Sequence, residues 1–208
     1  MKLETLPVSI TTHIVIRDLD TGAILREGEN AIHQENMSVA LATALARGSN
    51  CFVSEMHFGN GASIIATDGS VSYRLPNIAG TDADLYNDTY FRVVDGNDLQ
   101  NPDSAENNVT VVHSKGATYA DTVITATLDY NDPVSTDSVF NIIDSTRNSL
   151  DATTTVNGEM IFDEIALKTK GTEGLNSGKL LTHYIFHPVE KGTNQRIQIV
   201  YKLRVQAG

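Results

Sequence analysis

Apolar and polar residues alternate along one stretch of this chain after another, a period of two that suits a strand with one buried face and no helix. From residue 8 to 17, Val8, Ile10, Thr12, Ile14 and Ile16 alternate with Ser9, Thr11, His13 and Val15. Near the other end Ile197, Ile199, Tyr201, Leu203 and Val205 alternate with Arg196, Gln198, Lys202 and Arg204. Thr122–Tyr130 sets Ile124, Ala126, Leu128 and Tyr130 against a face rich in threonine. Further strands are expected at Cys51–Phe58, Tyr90–Val94, Val109–His113, Val139–Ile143, Glu159–Lys168 and Leu180–Phe186, each bounded by Gly, Pro, Asn or Asp. That spacing belongs to a sandwich or barrel. In Glu159–Lys168 the alternation of Met160, Phe162, Ile165 and Leu167 breaks at Asp163-Glu164, which predicts a bulge. Asp18–Gly22 and Gly171–Gly178 read as hairpin turns.

One stretch departs from the pattern. Met37, Ala40, Leu41, Ala44 and Leu45 fall at helical spacing, which predicts a helix over about 35–47 with that stripe laid on the sheet. Asn30 and His33 suit its amino end, Arg47 suits the negative end of its dipole, and Gly48 offers a left-handed stop. Gly59, Asn60 and Gly61 then end the following strand in a turn that tolerates positive φ. The fold class expected is all-β, an antiparallel β-sandwich or jelly-roll-like domain with one packed helix. Residues 1–208 are expected to form a single domain, with projecting loops near 62–88 and 95–108. The second of these has only Leu99 and Ala105 to bury, so its ordering is expected to come from another subunit.

The stretch Asn30–Gly61, NAIHQENMSVALATALARGSNCFVSEMHFGNG, together with the strand His13–Arg17 and the turn Asp18–Gly22, resembles small structural proteins of tailed-phage virions. The likeness is to neck, collar and tail-associated proteins encoded among morphogenesis genes. It implies a non-enzymatic subunit that forms a homo-oligomeric ring at the head-to-tail junction or tail. Its partners would be itself and other virion proteins, such as portal, adaptor, tail or capsid components. Its location would be the virion. A capsid decoration protein, or a carbohydrate- or cell-surface-binding β-sandwich module with the long loops as its binding edge, is the alternative.

Charge and motifs bear on the same question. The chain carries 26 acidic against 15 basic residues, net −11, so direct binding to a phosphate backbone is not expected. Cys51 is the only cysteine, which excludes an internal disulfide and a multi-cysteine zinc site, and it is expected to be a small buried hydrophobe. The opening MKLETLPVSI has no signal-like apolar segment, so synthesis in a host cytoplasm is expected, and no apolar run is long enough for a membrane helix. The six histidines show no ligand spacing, and no Gly-x-Ser-x-Gly elbow occurs. No catalytic residue, metal ligand or cofactor is expected. Asp82, Asp84 and Asp88 sit close together, but without the pattern of a helix-loop-helix calcium loop they read as solvated turn acids. The candidate contacts between subunits are Arg196, Lys202 and Arg204, on the polar face of an exposed C-terminal strand, meeting Asp95, Asp98 and Asp103 of a neighbour's loop.

Overall fold

A computed structural model describes residues 7–133 and 158–208. The expected strand Val139–Ile143 and the connection 144–157 lie outside the described residues. In chain order the elements are β1 (Val8–Asp18), β2 (Ile24–Gly28), β3 (Ala31–Ile32), α1 (Gln34–Leu45), β4 (Val53–Gly59), β5 (Ser63–Ile65) and β6 (Val71–Tyr73). They continue as β7 (Asp88–Val93), β8 (Asn108–Val112), β9 (Tyr119–Leu128), β10 (Met160–Thr169), β11 (Leu180–Lys191) and β12 (Ile197–Ala207).

The strands form two five-stranded sheets, ordered β2-β1-β12-β9-β8 and β3-β11-β10-β4-β7, with every pairing antiparallel. Their inner faces meet in one core: Ile14, Ile16, Ile124, Leu128 and Tyr201 from the first sheet, Met56, Phe58, Phe162 and Ile165 from the second. The chain is thus an all-β sandwich with one helix. β5 and β6 make a small separate hairpin. It carries the outward part of loop 62–88, while residues 76–88 lie across the second sheet.

The alternation read from the sequence holds in the first sheet. Thr12, Ile14, Ile16 and Asp18 of β1, and Ile197, Ile199, Tyr201 and Leu203 of β12, are buried, and their neighbours are not. β12 lies at the centre of that sheet and not at its edge, paired to β1 on one side and β9 on the other. An amphipathic strand has the same sequence at either place, because the pattern reports on faces and is silent on edges. The bulge expected at Asp163-Glu164 is present: Phe162 pairs with Val189, and the register has shifted by Glu164, which pairs with Ile185. β11 runs straight through His187-Pro188, where a connection was expected, because Pro188 falls in the irregularity opposite that bulge and needs to donate nothing there.

The helix differs from expectation in what it buries. His33 is its N-cap, with Nδ1 accepting from the Asn36 amide, and the Asn36 side chain donates to Leu180 O at 2.9 Å. Asn30 plays no part in the cap; its side chain donates to Ala31 O. Met37 and Ala40 are buried, but Leu41 is 39% exposed and Leu45 89%. The apolar stripe therefore leaves the sheet after two turns. Arg47 takes the left-handed position, φ 58°, and lies past the last turn. Gly48 is needed for a different reason: a Cβ there would lie 2.3 Å from Thr43 Cγ2. No helix among the described residues is long and apolar enough to cross a membrane.

The division along the helix is testable by urea denaturation. Met37→Asp buries an unpaired charge and should cost several kcal/mol, whereas Leu41→Asp should cost about 1 kcal/mol or less. Equal losses would place Leu41 in the core.

Candidate functional site

The second sheet is buried on both faces. Every residue of β4 is buried, and so is every residue of β10 except Ile161. On the face turned away from the core, cross-strand pairing sets His183, Ala166, His57 and Phe91 in one row, with Glu55 beside Lys168 and Gly59 beside Glu164. A face composed like this ordinarily meets water. Here residues 76–88 and the hairpin loop 170–179 cover it, so its charges have to be satisfied within the protein.

They are drawn together in two groups, in which Glu55 Oε1 is left buried without a hydrogen-bond partner among the described residues. His57 is fully buried and stacked on Phe91, with ring centroids 5.2 Å apart. Its Nε2 lies 2.9 Å from Glu55 Oε2 and its Nδ1 2.7 Å from Asp88 Oδ2. Burial opposes the imidazolium, but the charge and hydrogen bond of Asp88 and the hydrogen bond of Glu55 outweigh it and raise the His57 pKa. The Asp88 carboxyl is held down in turn: burial works against the carboxylate, and His57 and Lys168 overcome it. The buried Lys168 ammonium reaches Asp84 Oδ1 at 2.7 Å, Asp88 Oδ2 at 3.3 Å and Asn176 Oδ1 at 3.4 Å. Asn176 N–H closes the ring on Glu55 Oε2.

Glu164 anchors the second group. Its Oε1 accepts from the amides of Gly61 and Asn87, and its Oε2 from the amide of Tyr86 and from His183 Nε2, all at 2.9–3.0 Å. His183 Nδ1 accepts from the Asn77 amide, which makes this imidazole the neutral, Nε2-protonated tautomer. Asp163 accepts from the amides of Ala62 and Ser63 and from the Ser63 hydroxyl. Burial and the neighbouring Glu164 charge push its carboxyl up to about 6 against those donors. Gly59 and Gly61 are glycines for room and not for positive φ: a Cβ on Gly59 would stand 2.6 Å from Glu164 Oε1, and one on Gly61 2.9 Å from Asn87 N.

This arrangement can fasten a loop, and its buried groups, Glu55 Oε1 apart, are already committed to one another. Both nitrogens of His57 face carboxylates, so neither is available to take a proton from a substrate. Of the acids of the 82–88 turn, expected in solvent, Asp82 and Asp84 are exposed and reach Lys179 and Lys168 from there, whereas Asp88 is drawn in between His57 and Lys168. Among the described residues no group of three or more His, Cys, Asp or Glu is placed to hold a metal ion. Sequence reading passed over Glu55, His57, Glu164, Lys168 and His183. The available signal was their charge at alternate positions of two strands whose intervening residues are apolar, a pattern that a face open to water would share.

The candidate subunit contacts are distributed differently. Arg196 pairs within the chain with Glu106 at 2.8 Å and Asp129 at 3.0 Å. Arg204 forks onto Asp121 at 2.7 and 2.9 Å and stacks over Tyr119. Asp98 meets Lys170 at 3.0 Å. Lys202 makes no ion pair with a described residue, and Asp95 and Asp103 accept from backbone amides of their own loop. Loop 95–108 is ordered by its own domain, contrary to the expectation of ordering by a neighbour: the Asn101 side chain bridges Asp95 O and Asn107 O, and Asn107 receives the Thr127 amide. Counting apolar residues could not reveal this, because side chain-to-backbone hydrogen bonds hold the loop. Cys51 is half-buried and not fully enclosed.

Compared with protein-family models, curated proteins and solved structures, the chain matches none of them.

The raised His57 pKa fixes a sign. Its stabilising contribution is complete below the unfolded value of about 6.5 and is lost as pH rises through the higher folded value. His57→Gln, which leaves two buried carboxylates short of a cation, should cost about 3–5 kcal/mol at pH 6. The difference from wild type in urea denaturation should narrow by pH 9. A gap independent of pH would show that His57 is neutral in the folded protein.

Proposed function

We propose that the chain is a non-enzymatic structural subunit of a tailed-phage virion, forming a homo-oligomeric ring at the neck or collar, or along the tail. The observation that carries the reading is the disposition of its polar chemistry. The ionisable groups buried on the outer face of the second sheet are spent on fastening loops 76–88 and 170–179 to it, which favours a rigid building block over a reactive site. The likeness of Asn30–Gly61 to virion proteins supports the phage assignment. The net charge of −11 suits a part that stands near DNA without gripping it. Its partners on this reading are further copies of itself and adjoining portal, adaptor, tail or capsid proteins, without direct contact to nucleic acid or membrane. Contacts through Lys202, Asp95 and Asp103 remain open to a neighbour, whereas Arg196, Arg204 and Asp98 would have to exchange a partner they already hold.

Light scattering across a concentration series should show one closed oligomer of several copies, and antibody against the chain should label tailed particles at a single axial level. A monomer at every concentration that binds immobilised glycans would replace this reading with the carbohydrate-binding module.

A further inference from the structure

A bare sheet edge presents N–H and C=O groups that will take another strand, so proteins cover or charge their edges. Two sheets give this sandwich four edge strands. On one side β3 is only two residues long, and Arg26 of β2 donates to His187 O at 2.8 Å and Pro188 O at 3.1 Å, which closes the two sheets on each other. On the other side β7 is buried from Thr89 to Val93 and carries Asp88 and Arg92. The remaining edge, β8, is unlike these three. It has no charge and no proline, and Thr110, Val111 and Val112 are exposed.

Alternate residues of an antiparallel edge strand turn their backbone groups to the neighbour inside the sheet, and the others turn theirs outward. The neighbour of β8 is β9, and beyond that ladder the backbone of Val109–Val112 makes no hydrogen bond to a described residue. The side chains are uncovered as well. Val111, on the inner side with Val109, is 72% exposed, and Val112, on the outer side with Thr110, is 54% exposed. An added strand would satisfy the outward backbone groups and cover valine on both sides at once.

We propose that β8 pairs antiparallel with β8 of a second copy, about a two-fold axis through Thr110, so that two first sheets become one continuous sheet. The strand is complementary to itself in this register. Thr110 faces Thr110, Val109 faces Val111 on the inner side, and Asn108 faces Val112 on the outer side, so all of β8 is paired, and threonine and β-branched pairs of this kind favour cross-strand contact. Any other centre leaves part of the strand unpaired. The flanking charges select the same direction. Asp103 and Glu106 precede β8, while Lys115 follows it, exposed and in no ion pair with a described residue. Antiparallel pairing brings the acidic end of one copy to the basic end of the other, whereas parallel pairing sets like charge on like. The contact is isologous and joins copies in twos, so the oligomer contains an even number of them and closes through a further contact elsewhere. The inference rests on the self-association in the reading above, and it names one surface that produces it.

A residue on the axis meets its own copy, and that gives the test. Directly opposed residues of antiparallel strands stand ~4.5 or ~5.5 Å apart at Cα, and a disulfide spans either distance. The full-length chain with Cys51→Ser and Thr110→Cys, mildly oxidised and run on a non-reducing gel, should give a linked dimer that reductant collapses. Cys51→Ser alone should give none, and neither should Cys51→Ser with Leu75→Cys, whose cysteine replaces a residue 83% exposed outside β8 and controls for random collision. Thr110→Lys and Thr110→Glu should each raise the dissociation constant at least tenfold by placing like charges face to face, and an equimolar mixture of the two should recover the wild-type value. Native mass spectrometry of the wild-type oligomer should show an even number of copies. Weakening by both charged variants without recovery on mixing would make β8 the seat of a different strand and overturn the self-pairing. An odd number of copies overturns it too. No linked dimer, together with wild-type association of Thr110→Lys, overturns the contact and leaves the ring reading standing. A wild-type protein that is monomeric at all concentrations removes both.

Discussion

The carboxylate of Glu164 is the tie on which the second half of the molecule depends. Without the bulge at Asp163, Glu164 would share the inward phase of Phe162 and deliver a negative charge to the core. The break in alternation there turns it to the outer face and hands the inward phase to Ile165 and Leu167. Once outside it is still out of water. It therefore needs donors, and residues 61–87 supply three amides and position a fourth donor, His183. The loop can wrap the sheet because the carboxylate collects its backbone amides. The carboxylate can be buried because the loop brings them.

The two sheets consequently solve the same problem in different ways. The first leaves its outer face to solvent, where pairs such as Arg17 with Gln198 and Arg204 with Asp121 lie across strands and are worth little individually. The second seals its outer face, so that Glu55, His57, Asp88 and Lys168 become a set in which each member needs the others. Removing one leaves an uncompensated buried charge. A strand register shifted by one residue would break the whole set, which makes the cluster a guard on the pairing of β4, β10 and β7 as much as a source of stability.

The fold was legible where one face of a strand met water. β1, β9 and β12, the bulge in β10, the hairpin turns and the His33 cap all follow from residues taken singly or in short windows. Long-range facts were not legible. Nothing in the run Ile197–Val205 says that it will be central, since its two neighbours, β1 and β9, are chosen by strands far away in sequence. The helix stripe predicted burial for Leu41 and Leu45 because helical spacing reports a face, and how far the sheet extends beneath that face is decided elsewhere. The site was hidden for the same reason. Glu55 and His57, two apart on a strand, look like a solvated edge until a loop more than twenty residues downstream covers them.

The pairing of β1 with β12 bears on how the molecule reaches this state. Arg17 and Gln198 are hydrogen-bonded across 181 residues, and the register joins Val8 to Ala207. The β1–β2 hairpin is local, but two strands alone are marginal in water. The first sheet can therefore be completed only when nearly the whole described chain is in place. Closing so large a loop before its contacts repay the entropy makes for slow folding, in the range of milliseconds to seconds typical of β-rich domains. During that interval the inner face of β1, with Ile10, Ile14 and Ile16, stands uncovered. On a ribosome the wait is longer, and a chaperone would meet this strand before its partner does.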